Sequence, residues 1–143
     1  MAIPTRAVRP GTFFITTATC NRRRLFQVPA NCELLLETLQ HYRRAGHYKL
    51  HAFVVMPDHV HLILTPQAIT LERAIGLIKG GFSHRLASKL PVWQRGFTDH
   101  RRRNAQDKET RRAYLHQNPV RAGLSTTPEL YPYSSAYRLA EEE

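Results

Sequence analysis

The stretch Phe53-Val54-Val55-Met56-Pro57-Asp58-His59-Val60-His61-Leu62-Ile63-Leu64 decides the fold. Apolar, β-branched runs flank a tight Met56-Pro57-Asp58 connection, so residues 48–56 and 59–65 read as two neighbouring strands. Side chains alternate faces along a strand. His59 and His61 therefore point one way, while Val60 and Leu62 point the other.

Upstream, residues 11–20 form a β-branched and aromatic run, which reads as a strand, and residues 22–24 form a basic turn. Asn31 is placed to cap a helix whose Leu35, Leu36, Leu39 and Tyr42 follow a 3.6-residue period and which ends near Gly46. Downstream, Thr70 caps a helix with Leu71, Ala74, Ile75, Ile78, Phe82 and Leu86 on one face. Gly80-Gly81 weakens that helix by about 1 kcal/mol per glycine and permits a bend. Residues 96–102 suit a fourth, shorter strand. Residues 106–117 suit a third helix, stopped by Pro119.

The predicted order is β-α-β-β-α-β-α. Its first six elements are those of a ferredoxin-like split βαβ core of the α+β class: an antiparallel sheet with two helices on one face. The last helix, which carries Tyr114, is an addition free to lie near the sheet or at its edge. No repeat or linker divides the chain, so residues 1–143 read as a single domain.

Of the 143 residues 42% are hydrophobic, enough for a globular core. There are 21 Lys and Arg against 11 Asp and Glu, a formal net charge of +10. That imbalance favours a polyanionic partner, because bound phosphates release condensed counterions. The charge is clustered at Arg22-Arg23-Arg24, Arg43-Arg44, Arg101-Arg102-Arg103 and Arg111-Arg112. Cys20 and Cys32 match no zinc or redox spacing and read as reduced thiols. Met1–Arg6 shows no secretory pattern, and no apolar run approaches membrane-spanning length. A cytoplasmic protein without membrane contact is the expectation.

Two imidazoles on one strand face can grip a divalent metal ion and leave its other positions to a third ligand, water and phosphate oxygens. An isolated His-x-His is weak evidence, since strand histidines are often satisfied polar residues. Here the pair interrupts an apolar strand, which strengthens the metal reading. Tyr114 and Asn118 stand four apart and share a helix face. The bland reading makes them a rim tyrosine and a helix-terminal residue. The functional reading puts the Asn118 amide oxygen on the metal with Tyr114 beside it. Phenols are weak nucleophiles near neutral pH, so a nearby metal and basic side chains would be needed to stabilise a developing phenolate and polarise a phosphate.

Residues 51–66 (HAFVVMPDHVHLILTP), 93–100 (WQRGFTDH), 114–124 (YLHQNPVRAGL) and 128–137 (PELYPYSSAY) together resemble the REP-associated tyrosine transposases, within the single-tyrosine HUH transposases. The likeness runs from about residue 11 to about residue 137. The resemblance implies a ferredoxin-like core, His59 and His61 as metal ligands, Asn118 as third ligand, Tyr114 as nucleophile and Mg²⁺ or Mn²⁺ as cofactor. It also implies cleavage and rejoining of single-stranded DNA at hairpin-forming palindromic repeats through a 5′-phosphotyrosine. Such work belongs with nucleoid DNA in a bacterial cytoplasm, by a monomer or a homodimer. The alternative is a non-catalytic module that binds structured DNA or RNA.

Candidate DNA-binding residues are Arg22, Arg23, Arg24, Lys79, Arg85, Arg95, Arg101, Arg102 and Arg103, which would hold phosphates. Trp93 is either a base-stacking platform or a core anchor. His100 is either an auxiliary group for the phosphate or leaving group, or structural. Asp58 reads as a turn-former.

Overall fold

The computed structural model describes residues 11–142. Met1–Arg6, read above for targeting signals, and the last residue of the single-domain span lie outside them. Strand β1 (Phe13–Ala18) leads through two short 3-10 turns to helix α1 (Pro29–Arg44). Then come β2 (Tyr48–Met56), β3 (His59–Pro66), α2 (Leu71–Leu86), β4 (Thr98–Arg101), α3 (Ala105–Arg121) and α4 (Ser135–Glu142). The sheet order is β2-β3-β1-β4 and every neighbouring pair is antiparallel. This is the predicted α+β arrangement, a ferredoxin-like split βαβ core.

One sheet face carries Phe13, Ile15, Phe53, Val55, Val60, Leu62 and Leu64. They pack with Leu35, Leu39, Ala74, Ile75, Ile78 and Phe82 of α1 and α2 into the main core. Thr70 caps α2 as expected, its hydroxyl accepting from the Arg73 N–H at 3.1 Å. Gly81 serves close helix packing rather than a bend: a Cβ there would lie 2.6 Å from the Tyr42 hydroxyl of α1. Asn31 does not cap α1. The helix starts at Pro29, whose fixed φ suits the first turn, and the Asn31 amide donates instead to the Leu25 carbonyl at 2.7 Å.

The opposite sheet face carries Phe14, Thr16, Ala18, Ala52, Val54, Met56, His59, His61 and Ile63, by alternation and register. Helix α3 covers part of this face. Fully buried Leu115 packs there with Ala52, Val54, Met56, Ile63 and Tyr131. Pro119 does not stop α3, which runs on to Arg121. The proline deprives the Leu115 carbonyl of a donor, but its ring is buried, and that packing offsets the missing bond. The stop comes at Gly123, at φ 75°, where the N–H groups of Gly123 and Leu124 close onto the Val120 and Pro119 carbonyls. The outer edge of β2 is partly sealed by residues 131–135, with the Val55 N–H donating to the Tyr133 carbonyl at 2.9 Å. Among the described residues no helix is long and apolar enough to cross a membrane.

Candidate active site

His61 faces Thr16 across one strand boundary and Val54 across the other; His59 faces Ala18 and Met56. The rings meet edge to face with centroids 4.8 Å apart. Each Nδ1 is occupied. That of His59 lies 2.6 Å from an Asp58 carboxylate oxygen, and that of His61 lies 2.8 Å from the Thr16 hydroxyl. Among the described residues neither Nε2 has a hydrogen bond. A carboxylate or hydroxyl on one ring nitrogen sets the tautomer that leaves the other nitrogen's lone pair free. Burial, then the charges of His59, Arg121 and Arg22, push His61 down to about 4, so it is neutral at pH 7.

Asp58 does more than form the turn. Burial works to raise its pKa, but the His59 hydrogen bond and the charges of His59 and Arg22 outweigh that, and the carboxyl sits below its ordinary value. It is therefore ionised at neutral pH, and His59 Nδ1 carries the proton between them. The Asp58 carbonyl accepts from Thr19, which anchors the turn to β1. Asn21 and Arg22 both adopt left-handed φ values, 55° and 53°, and this bend brings the Arg22 guanidinium 3.6 Å from Asp58. The adjacency of Asp58 to His-x-His was the available signal for its role. Thr16 carried none, because only strand pairing brings it to His61.

Two imidazole nitrogens with open positions suit a divalent metal. Among the described residues no group of three or more His, Cys, Asp or Glu could hold one. A third protein donor would therefore have to be of another kind, such as an amide oxygen. Asn118 is half-buried on α3, four residues after Tyr114. Tyr114 is 59% exposed, while its neighbour Leu115 is buried against the sheet. Arg121 covers the Tyr114 ring, its guanidinium carbon 3.9 Å from the centroid, and also donates to the Tyr114 carbonyl at 3.0 Å. Leu115 packs on Val54, Met56 and Ile63, neighbours of the histidines on this sheet face, so α3 lies over the face that carries the pair.

The other candidates divide. Arg22 sits at the rim of the site, and Arg24, Arg95, Arg101, Arg102 and Arg103 are exposed. Arg23 donates to the Pro91 carbonyl. Lys79, Arg85 and Trp93 lie on the far side of the sheet and are engaged within the fold. The Lys79 ammonium donates to the Gln94 and Gly96 carbonyls at 3.0 and 2.8 Å. Arg85 bonds the Gly81 carbonyl and lies over Tyr42. Trp93 packs on Phe26 and Phe82 and donates to the Lys79 carbonyl, so the core-anchor role is the one it fills. His100, opposite Phe14 on β4, is held by Asp107 at 3.2 Å and has no hydrogen bond to the histidine pair.

Known proteins share this sequence pattern and this fold. A REP-associated tyrosine transposase of Escherichia coli is 29% identical over 133 residues, 92% of this chain and 79% of the relative. A solved structure of a REP-associated tyrosine transposase bound to a REP hairpin superposes with a TM-score of 0.81 at 28% identity, covering 96% of this chain and 84% of the other. A Deinococcus radiodurans protein shares the fold at 19% identity, with a TM-score of 0.57 over 82% of this chain and 97% of its own. The family model described as transposase, IS200-like, matches residues 11–118, which hold the histidine pair and the tyrosine helix through Asn118. The chain therefore belongs to the IS200-like transposase family of enzymes.

Proposed function

We propose that this transposase cleaves and rejoins single-stranded DNA beside hairpin-forming palindromic repeats, with Tyr114 as nucleophile. The observation that carries the reading is the pair of free Nε2 atoms on His59 and His61, pinned from behind by Asp58 and Thr16, on the face covered by the tyrosine helix. The hairpin bound by a related transposase supports the substrate class. Such a substrate belongs to nucleoid DNA in a bacterial cytoplasm.

The Tyr114 hydroxyl attacks the phosphorus of one phosphodiester and gives up its proton. The bond from phosphorus to the 3′ oxygen breaks, and that oxygen takes a proton to become a free 3′-hydroxyl. The product is a 5′-phosphotyrosine, and the reverse attack by a 3′-hydroxyl rejoins strands. His59, His61 and the Asn118 amide oxygen would hold Mg²⁺ or Mn²⁺, which when bound supplies Lewis-acid polarisation of the phosphate. Arg121 orients the phenol and adds positive charge where phenolate character grows. Arg22 adds a second guanidinium at the rim of the histidine pair. Arg24, Arg95 and Arg101–Arg103 are exposed cations available to the phosphate backbone.

The test is incubation with a labelled hairpin carrying a single-stranded flank, with Mn²⁺ or with a chelator. The expected product is a denaturant-stable protein–DNA adduct formed only with metal. Hairpin binding with no cleavage under any metal would make the chain a binding module instead.

A further inference from the structure

The face that carries His59 and His61 has a second basic end. Alternation places Thr12 and Thr65 on it, and their hydroxyls meet at 2.7 Å. The β2–β3 register shifts between Leu50 and Ala52, so His51 is the extra residue of a bulge. Bulges re-aim side chains. Here Lys49 stands opposite Thr65, and His51 also reaches this face, with Nε2 2.8 Å from the Thr65 hydroxyl. The backbone N–H of Arg102 donates to the Thr12 carbonyl at 2.8 Å, which brings Arg102 to the same end. Helix α3 packs on β2 and carries Lys108 and Arg112 one turn apart, both close enough for their charges to act on His51.

Positive charge here is largely uncompensated. Among the described residues Lys49, Arg102 and Lys108 have no ion-pair partner, and Arg112 has Glu109 at 3.7 Å. The Arg112 Nε is buried without a hydrogen-bond partner. Burial, then Lys108, Arg102, Lys49 and Arg112, push His51 down to about 4. The field at this end of the sheet thus favours an anion. The nearest other carboxylate on α3, Asp107, is taken up by His100 and Arg111.

We propose that Lys49, His51, Arg102, Lys108 and Arg112 form a second phosphate-binding site, which holds the DNA backbone at a set distance from the phosphate that Tyr114 attacks. The proposal rests on the DNA-cleaving reading above. From His61 to Thr65 is four strand residues, about 13 Å, and from His59 six, about 20 Å. A duplex advances about 3.4 Å per step, so the span corresponds to roughly four to six base-pair steps of a hairpin stem. The site would act as a ruler that delivers the unpaired flank to the tyrosine.

The test compares wild type with a Lys49→Ala/Lys108→Ala double variant, its folding checked by thermal melting, on the flanked hairpin. Each lost duplex phosphate contact lowers the slope of log K against log salt by about 0.9, so a drop of about 1 to 2 is expected, with roughly tenfold weaker binding. At saturating DNA the cleaved phosphate should be less precisely defined in the double variant, since the stem no longer fixes which linkage meets Tyr114. Neutral methylphosphonate linkages scanned along the stem should weaken wild type at one or two positions and leave the double variant indifferent at those positions. An unchanged salt slope and linkage profile, also in Lys49→Glu/Lys108→Glu, would overturn the site. Equal losses with RNA hairpins would overturn its assignment to DNA. Absence of any adduct in wild type would sink the cleavage reading instead, while the salt slopes would still report on the site.

Discussion

The Arg121 guanidinium carbon lies 3.9 Å from the centroid of the Tyr114 ring, two helical turns along α3 from the tyrosine it covers. The contact exists because α3 continues through Pro119. Had the helix ended there, residue 121 would not share a face with residue 114. An exposed phenol, with nothing else stacked on it among the described residues, thereby gains a fixed orientation.

Arg121→Ala should therefore slow adduct formation by roughly tenfold at saturating DNA, from the loss of a cation–π contact and a charge-assisted hydrogen bond. Single-turnover kinetics measure it. Arg121→Lys should recover part of the rate and Arg121→Gln none. Equal rates in all three would remove Arg121 from the mechanism.

Tyr114→Phe deletes only an exposed hydroxyl. The covalent adduct should vanish, while hairpin affinity stays within about threefold by gel shift. Normal cleavage by this variant would put the nucleophile elsewhere.

Asp58→Asn replaces the carboxylate behind His59 with a neutral amide. Loss of such a support typically lowers metal affinity 10–100-fold, and His59→Ala or His61→Ala should do at least as much. Isothermal titration with Mn²⁺ reads this directly. An unaltered titration across all three would assign the histidines to structure.

Leu115→Ala should destabilise the protein by about 2–5 kcal/mol, since the side chain is fully buried beneath α3. Denaturant unfolding gives the stability. Cleavage should fall with it, because this contact seats the tyrosine helix on the sheet. A loss under 1 kcal/mol would mean that α3 is held mainly by other contacts.

Acid should destabilise the fold in a defined window. His51 and His61 are both pushed down to about 4 from 6.5, chiefly by burial, and His116 is lowered for the same leading reason. Above pH 6.5 these groups are neutral in folded and unfolded chains alike. As the pH falls from 6.5 towards 4, the unfolded chain takes up protons that the folded one resists, and stability is lost. Melting temperature should be flat from pH 7 to 8 and drop between 6.5 and 4. His51→Gln should make the drop shallower, and an identical curve would count against His51 as a contributor.

The hairpin at residues 48–66, the apolar faces of α1 and α2 and the common face of His59 and His61 are all local periodicities, so the linear chain displays them. The Thr70 cap is equally local. The pairing of Tyr114 with Asn118 follows from helical spacing alone.

What the linear chain does not display depends on partners far away in it. Leu115 is one apolar residue in a polar helix, and its burial against Val54 and Ile63 is what puts α3 across the histidine face. Thr16 reaches His61 only through strand pairing. Trp93 and Lys79 look like nucleic-acid contacts in a basic chain, yet each is hydrogen-bonded to backbone carbonyls inside the fold. The bulge that turns His51 towards Thr65 has no sequence mark, since it arises from fitting β2 against β3. Periodicity along a chain is set by backbone geometry and is visible residue by residue. Which buried face, hydroxyl or charge meets which is set by desolvation and packing between distant segments, and these exist only once the sheet has closed.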